Sequence, residues 1–462
     1  MPPELLAVLQ EVAAFVPPAF AELGRHIPIE WLEQVIQLAP GFAKMRERKM
    51  PLDRVLWLVI GMAVFADRSI QAVASHLCLA LPGGKHGVDP SALPQARARL
   101  GAEPLEALLD LTGRHWGIAS AAESRWRGLS IFAADGTCLR LADSRANEAE
   151  FGRPGGGRSL AGYPQARLVA LMAVHSHLIV AANWGAFSEG EHTLLRPLLE
   201  EIPNQSLTIL DRGFISWKLV YDIAGEGTDR HWMVRAKKNL TWNVVKKLGT
   251  GDLLVEIVVH KNLRRLHPEL PQTIPARVVT YRIKGYRPQK VITSLVDATR
   301  FPKNELAGIY HERWEIELGY DELKTHLLER NEALRSKTPA GVRQEIAGTL
   351  VAYNLVRQAM RAAAKEIGVD PRRMSFRSSL HAVRAFCLTA WMSSPGVLPK
   401  RLIGFESDLR MLVLPERRSD RRYDRTVKIK MSGYARNRRR GSAKKRARPI
   451  ARRPTQRAPE PI

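Results

Sequence analysis

The chain has 462 residues, of which 45% are hydrophobic and 25% are charged, a composition typical of a folded protein with a sizeable core. Lysine and arginine outnumber aspartate and glutamate by 71 to 46, and the resulting formal charge of +25 favours a polyanionic partner such as nucleic acid. The three cysteines are far apart and lack CxxC or Cys/His spacing, which argues against a disulfide framework and a zinc site.

Helices are predicted for the amino-terminal part of the chain. From residue 3 to about 124, apolar residues recur at spacings of three and four, and proline and glycine interrupt the pattern. The longest apolar run, from Leu56 to Ala66, is too short to span a bilayer and predicts a buried helix. The first residues lack the basic and long apolar segments of a signal peptide, so we expect a cytoplasmic protein without membrane contact.

The pattern changes near residue 129, where short apolar and β-prone segments begin. We interpret these segments as neighbouring strands of one buried sheet: 129–134, 166–174, 178–183 and 207–210. A basic, β-prone stretch follows and predicts an inserted β subdomain at about 237–297. Further helices are expected at about 303–328, 339–367 and 376–392.

The carboxyl-terminal stretch is strongly basic. Residues 415–462 contain 18 Lys or Arg and four Asp or Glu, a local charge of +14. Because this tail has few apolar residues to bury, we expect it to be disordered without nucleic acid.

Two aspartates follow predicted strands. Asp135 comes after the apolar segment 129–134 and precedes Gly-Thr, and Asp211 comes after 207–210 and precedes Arg-Gly-Phe. A carboxylate at the end of a strand can project into a cleft beside the sheet. Taken singly, either aspartate is equally well explained by a role in a turn or a helix cap.

A polar helix face contains a third acid. On a helix, Arg313, Glu317 and Lys324 fall within about 60° of Tyr310. Such a stripe can be a solvated, salt-bridged face. However, the opposite side also carries two glutamates, so charge alone does not identify the solvent face. The stripe combines a metal-ligating carboxylate with phosphate-binding side chains, which is the mixture that a two-metal phosphoryl transfer requires.

The order of these motifs resembles a known family. DGT at 135–137, DRGF at 211–214 and Y-(2)-R-(3)-E-(6)-K at 310–324 closely resemble the YREK branch of bacterial insertion-sequence transposases in the DDE superfamily. The resemblance covers about residues 50–430 and includes LRSKTP at 334–339. It implies an α/β fold with an RNase H-like catalytic core, an inserted β subdomain and an α-helical N-terminal domain.

The resemblance also implies roles for the site residues. It assigns three acids to catalysis and metal binding: Asp135, Asp211 and Glu317. It assigns three further side chains to contacts with DNA phosphates near the cut end: Tyr310, Arg313 and Lys324. The expected cofactor is a pair of Mg²⁺ ions, for which Mn²⁺ can substitute. The expected partners are double-stranded DNA, as terminal inverted repeats and as target, and a second copy of the chain in the synaptic complex.

The expected organisation has three regions: a helical DNA-binding domain at 1–125, a catalytic domain at 126–392 with the β insertion at about 237–297, and a region with the basic tail at 393–462. The expected function is cut-and-paste transposition, by strand cleavage and strand transfer, in the bacterial cytoplasm at the nucleoid. Two alternatives stay open at this point. One is a transposase-derived DNA-binding regulator without catalysis, and the other is a two-metal nuclease without strand transfer.

Some secondary candidates are weaker. Asp321 shares the helix face of Glu317 and is a rival ligand, although the YREK spacing favours Glu317. Some relatives stack a flipped base on a tryptophan late in the insertion, but no tryptophan lies between Trp242 and Trp314, so a hairpin intermediate is unsupported. Trp232 and Trp242 are alternative candidates for this role, although each is better explained as a packing residue. His177 has no carboxylate or nucleophile nearby in sequence and is interpreted as structural.

Overall fold

The computed structural model describes residues 16–42, 50–79, 89–156, 159–160, 162–237, 240–282, 288–329, 333–394 and 396–416. The basic tail beyond residue 416, together with the expectation that it is disordered, lies outside the described residues.

Helices form the amino-terminal region, as its periodicity predicts. They are α1 (Ala21–Gly24), α2 (Ile29–Gln37), α3 (Leu52–Val64), α4 (Ile70–His76), α5 (Ala92–Leu100), α6 (Glu103–Thr112) and α7 (Ile118–Glu123), with a π-helical turn at Gly113–Gly117. Helix α3 is buried along most of its length because apolar residues occupy all its faces. The prediction of a buried helix at this apolar run is confirmed.

The described strands form one nine-stranded sheet and a short separate hairpin. The strands are β1 (Ser130–Arg140), β4 (Gln165–Ala173), β5 (Ile179–Ala186), β6 (Ser206–Leu210), β7 (Arg230–Arg235), β8 (Asn243–Gly249), β9 (Asp252–Val258), β10 (Thr273–Tyr281) and β11 (Gln289–Thr293), with β2 (Gly155–Gly156) and β3 (Ser159–Leu160) in the hairpin.

The order of the large sheet is β5-β4-β1-β6-β7-β11-β10-β9-β8. Strands β1, β6 and β7 run parallel, whereas β4 and β5 are antiparallel to their neighbours. The first five strands therefore have the RNase H-like arrangement expected from the sequence. Short helices connect these strands or cover the sheet: α8 (Arg145–Phe151), α9 (Glu191–Leu195), α10 (Trp217–Gly225) and α11 (Lys261–Leu266).

The β-rich insertion continues the same sheet. Strand β11 pairs antiparallel with β7, with Val291 opposite Arg235 and Thr293 opposite Met233. Strands β10, β9 and β8 then extend the sheet outward. The insertion is thus joined to the core by backbone hydrogen bonds as well as by side-chain packing.

The helical region after the sheet departs from one continuous helix over 303–328. It contains α12 (Lys303–His311), α13 (Trp314–Asp321), a π-helical turn at Glu322–Leu327, α14 (Pro339–Glu366), α15 (Phe376–Ala390) and α16 (Leu398–Arg410). Between α12 and α13 the chain forms a 3₁₀-type turn, because the Arg313 N–H donates to the Tyr310 carbonyl three residues earlier, at 3.2 Å. The π turn then widens the helix, so a regular helical wheel describes this segment only approximately.

Helix α14 joins the amino-terminal helices to the rest of the fold. It is buried over most of its length and packs against α3 and α6. The segment just before it adds polar contacts: Arg335 donates to the carbonyls of Met62, Phe65 and Arg68. Arg97 of α5 donates to the Ser336 hydroxyl at 2.8 Å. None of the described helices is long and apolar enough to cross a membrane.

Gly113 allows the π turn after α6 to lie directly on strand β5. A Cβ built on Gly113 would lie 1.8 Å from the Val180 carbonyl oxygen, which belongs to the backbone and cannot rotate away. By contrast, a Cβ built on Gly308 in α12 would meet no described atom within 4 Å.

We therefore expect Gly113→Ala to destabilise the protein by about 3 kcal/mol, because overpacking must displace a backbone strand. Gly308→Ala is the matched control and should be neutral or stabilising by up to about 1 kcal/mol, since alanine favours a helix. Urea unfolding followed by circular dichroism measures both. Equal stability of the two variants would contradict the close approach at Gly113.

Candidate active site

Asp135 and Asp211 lie on neighbouring parallel strands. In the register of β1 and β6, Ala134 is opposite Leu210, so the two aspartates follow a matched pair. Strand β6 ends there, and the carboxylate of Asp211 is 44% exposed, whereas that of Asp135 is 20% exposed. The two acids therefore lie side by side at the point where the parallel pairing of β1 with β6 ends.

The expectation that the chain leaves the sheet at Asp135 is wrong. Strand β1 continues to Arg140, because its antiparallel pairing with β4 runs on past Asp135, which lies opposite Ala170. Only the parallel partner β6 ends at this level. The Asp135 side chain is thus anchored within a strand, while Asp211 begins a short 3₁₀ turn at Arg212–Phe214.

Glu317 reaches the same place from α13 and contacts Arg313. The Nη2 of Arg313 lies 2.7 Å from Glu317 Oε1, its Nη1 3.9 Å from Asp135 Oδ2, and its Nε 3.9 Å from Asp211 Oδ1. The guanidinium is 9% exposed and also stacks on Trp314, 5.0 Å from the ring centre. One buried cation therefore contacts all three carboxylates.

Burial and like charge shift the titration of the site. Burial raises the pKa of Asp135 to about 6, and the nearby Asp211 and Glu191 carboxylates act in the same direction. The Gly136 N–H and Arg313 oppose this shift. Burial would lower the pKa of Arg313, but its bond to Glu317 and the nearby Tyr310 and Asp211 raise it. The site thus has an excess of negative charge that favours a bound cation.

Tyr320 and Lys324 attach the helical segment that carries Glu317 to strand β1. The Tyr320 hydroxyl donates to the Asp135 carbonyl at 2.6 Å and accepts the Ala170 N–H at 3.2 Å. Lys324 Nζ donates to the Thr137 hydroxyl at 3.1 Å. The polar stripe predicted from the sequence does not include Tyr320, although this residue falls at roughly 280° on the helical wheel that places Arg313 at roughly 300°.

Tyr310 does not present its hydroxyl to solvent. The residue is buried, and its hydroxyl has no hydrogen-bond partner among the described residues. Burial raises the pKa of Tyr310, with Arg313 opposing the shift. The structure therefore places Tyr310 beside the site with an unused donor, while Arg313 and Lys324 are already bonded within it.

A short helix, α9, contacts the backbone next to both aspartates. A Cβ built on Gly136 would lie 2.6 Å from Glu191 Oε1, so this carboxylate packs against the backbone next to Asp135. The imidazole of His192 donates from Nε2 to the Gly213 carbonyl at 3.1 Å, two residues after Asp211. No spacing pattern indicates Glu191 or His192, because their partners lie on two distant segments of the chain.

The secondary candidates are less favoured by the geometry. Asp321 is exposed and accepts a hydrogen bond from Thr325 at 2.5 Å, whereas Glu317 pairs with Arg313. Trp232 is 1% exposed in the core, and Trp242 packs under the Lys290 ammonium, 5.3 Å from the ring centre. Neither tryptophan is presented as a free stacking surface.

The donor chemistry of the site fits a divalent metal ion. Its three carboxylates are the hard oxygen ligands that such ions prefer, and a positive group already contacts all three. Within the described part of the chain, no three His, Cys, Asp or Glu side chains are close enough together to form a metal-binding group as they stand. Arg313 occupies the position between the acids.

Comparison with known proteins agrees with this architecture. Residues 17–110 match the family model described as insertion element 4 transposase N-terminal, and residues 126–355 match the transposase DDE domain. Transposase InsG for insertion sequence element IS4, from Escherichia coli strain K12, is 36% identical over 407 residues, covering 88% of this chain and 91% of InsG.

Two other similar proteins are more distant. The putative transposase InsZ of Escherichia coli strain K12 is 30% identical over 297 residues, covering 63% of this chain and 94% of InsZ. A solved structure of the piggyBac transposase synaptic complex with hairpin DNA aligns with a TM-score of 0.40 at 11% identity, covering 86% of each chain. From the family models and the extensive similarity to InsG, this chain belongs to the IS4 family of DDE transposases, enzymes that depend on divalent metal ions.

Proposed function

We propose that this transposase excises an insertion sequence and joins it to target DNA by a cut-and-paste route, with Asp135, Asp211 and Glu317 as the catalytic metal ligands. The observation that carries the proposal is the convergence of these acids on Arg313, at 2.7–3.9 Å, from two parallel strands and one helix. Three carboxylates on separate rigid elements form a preorganised cation site.

The proposed cofactor is a pair of Mg²⁺ ions, for which Mn²⁺ can substitute. When bound, these ions activate the attacking water or 3′-hydroxyl and neutralise the leaving oxygen of an in-line displacement. Asp135 would bind metal from within strand β1. Its backbone carbonyl is held by a hydrogen bond of 2.6 Å from the Tyr320 hydroxyl. Asp211 and Glu317 are more exposed and can turn towards the cation.

Three further side chains are proposed to bind the DNA phosphates. Arg313 offers a planar set of donors suited to a phosphodiester, and Lys324 offers a compact point charge. Tyr310 contributes a hydroxyl that has no described partner; because this hydroxyl is buried, its contact with a phosphate oxygen requires the side chain to move when DNA binds. Metal binding by the acids would displace Arg313 from the carboxylates, so that its guanidinium is free to turn towards the phosphate.

The proposed organisation assigns binding of the element ends to the helical region 1–125 and catalysis to 126–392. The basic stretch 393–462 would add phosphate contacts. The proposed partners are the terminal inverted repeats, the target DNA and a second copy of the chain, which act together in the bacterial cytoplasm at the nucleoid. The intact set of three acids disfavours a non-catalytic regulator, and strand-transfer assays distinguish a transposase from a simple nuclease.

Neutralising any one of the three acids should abolish catalysis. Asp135→Asn, Asp211→Asn and Glu317→Gln each remove a metal ligand with little change in shape, so we expect cleavage of element-end DNA to fall at least about 10³-fold in Mg²⁺, with DNA binding retained. Gel assays of cleavage and of binding measure the two effects separately.

Asp321→Asn is the matched control, since Asp321 is an acid on the same helix that bonds to Thr325 instead of Arg313. This variant should cleave at close to the wild-type rate. Normal cleavage by any triad variant would remove that residue from the proposed ligand set.

Removing the Arg313 guanidinium should impair cleavage at the DNA end. We expect Arg313→Ala to reduce cleavage about 100-fold, because the phosphate loses a preorganised cationic donor. Arg343→Ala is a suitable control, since Arg343 is exposed and pairs with Glu106 on the amino-terminal helices. A wild-type cleavage rate in Arg313→Ala would refute the phosphate role.

A further inference from the structure

A largely buried polar network lies behind the catalytic helix. His177 is in the turn between β4 and β5 and contacts the helix segment that carries Glu317 at two points. Its Nε2 lies 2.8 Å from Glu315 Oε2, and its Nδ1 lies 3.4 Å from Glu322 Oε2. His177 itself is 3% exposed. One imidazole thus bridges residues on either side of Glu317 in sequence.

Helix α14 completes the network with two further side chains. Arg357, which is buried, donates from Nε to Glu322 Oε2 at 2.9 Å and forms a second bond to Glu322 Oε1. The Tyr353 hydroxyl donates to Glu322 Oε2 at 2.9 Å. Although burial would raise the pKa of Glu322, Arg357 and His177 lower it to about 2. The Nδ1 of His177 accepts a hydrogen bond from Arg357 Nη2 at 2.6 Å, so Arg357 links His177 to the Glu322 carboxylate, a fixed anion whose own hydrogen bonds come from α14.

The network contacts the side of the helix that faces away from the proposed metal ligand. Glu315 and Glu322 are seven residues apart and fall within about 20° of each other on a helical wheel. Glu317 is about 160° away from Glu315 around the helix axis. Glu322 also begins the π turn that contains Lys324. The contacts to His177 and Arg357 therefore oppose rotation of this helix from the side opposite to the Tyr320 and Lys324 bonds to β1.

We infer that His177, Glu322 and Arg357 are positioning residues that hold Glu317 towards Asp135 and Asp211. This inference rests on the proposed role of Glu317 as a metal ligand. Apolar packing already presses the helix onto the sheet, since a Cβ built on Gly319 would lie 2.3 Å from Met172 Cε. Such packing is not directional and resists rotation of the helix less well than the bonds of the network.

The size of the effect follows from the geometry of a helix. A rotation of about 20° displaces a side chain at a radius of about 6 Å by about 2 Å. A misplacement of about 1 Å is enough to lower a reaction rate about 100-fold. The buried ion pair between Arg357 and Glu322 is a weak source of stability. Its role in this protein is to fix one orientation of the helical segment that carries Glu317.

The first test compares His177→Ala with His177→Gln. His177 has a φ of 59°, in the left-handed region, so alanine and glutamine carry a similar backbone cost to each other. Glutamine can still donate to Glu315, whereas alanine cannot. We expect His177→Ala to weaken the binding of Mn²⁺ alone about 10-fold in titration calorimetry, as loss of a residue that orients a ligand does. His177→Gln should restore affinity to within about twofold of wild type.

A second test removes the ion pair as a unit. In Glu322→Gln/Arg357→Met both charges are lost together, so no unpaired charge is left buried and folding is preserved. We expect Mn²⁺ affinity to fall about 10-fold while the melting temperature stays within a few degrees of wild type and binding of double-stranded DNA is unchanged. Unchanged Mn²⁺ affinity in His177→Ala and in this double variant would overturn the inference, as would an equal loss in His177→Ala and His177→Gln.

Glu317→Gln separates this inference from the proposed function. If Glu317→Gln weakens Mn²⁺ binding and the His177 variants do not, the network is not a positioning device and the metal site stands. If Glu317→Gln binds Mn²⁺ as tightly as wild type, the proposed metal site is wrong and the positioning inference fails with it.

Discussion

Like charges cannot be gathered in a partly buried site without a counter-charge, and Arg313 supplies that counter-charge here. Its guanidinium contacts Glu317, Asp135 and Asp211 while being almost hidden from solvent. The surrounding fold makes this convergence geometrically available. Two parallel strands place their aspartates side by side, and a helix crossing β1 adds the glutamate and the arginine.

That helix is constrained from both sides. On the sheet side, Tyr320 and Lys324 bond to β1 at Asp135 and Thr137. On the other side, the network of His177, Glu322 and Arg357 links the helix to the β4–β5 turn and to α14. The three acids are therefore carried by elements with little freedom to move, as their proposed role in aligning DNA and metal requires.

Much of the fold and the candidate site could be predicted from local patterns. The sheet strands, the buried helix α3 and the grouping of Glu317 with Arg313 follow from periodicity and spacing, which depend on neighbouring residues. The pairing of β11 with β7 and the contact of His177 with Glu315 join segments far apart in sequence, so no local pattern encodes them. The extension of β1 past Asp135 likewise depends on β4, a partner that the strand's own residues do not specify.

The attachment of the amino-terminal helices has a consequence for engineering. Arg335 and Ser336 come shortly after the helix that carries Glu317, yet they are bonded to carbonyls and side chains of the amino-terminal helices. Gln344 of α14 bonds to Arg97 in the same way. A chimaera of two related proteins therefore cannot be made by exchanging the first part of the chain alone. The donor sequence must bring its own version of the segment around 334–345, or the new boundary will leave buried polar groups without partners.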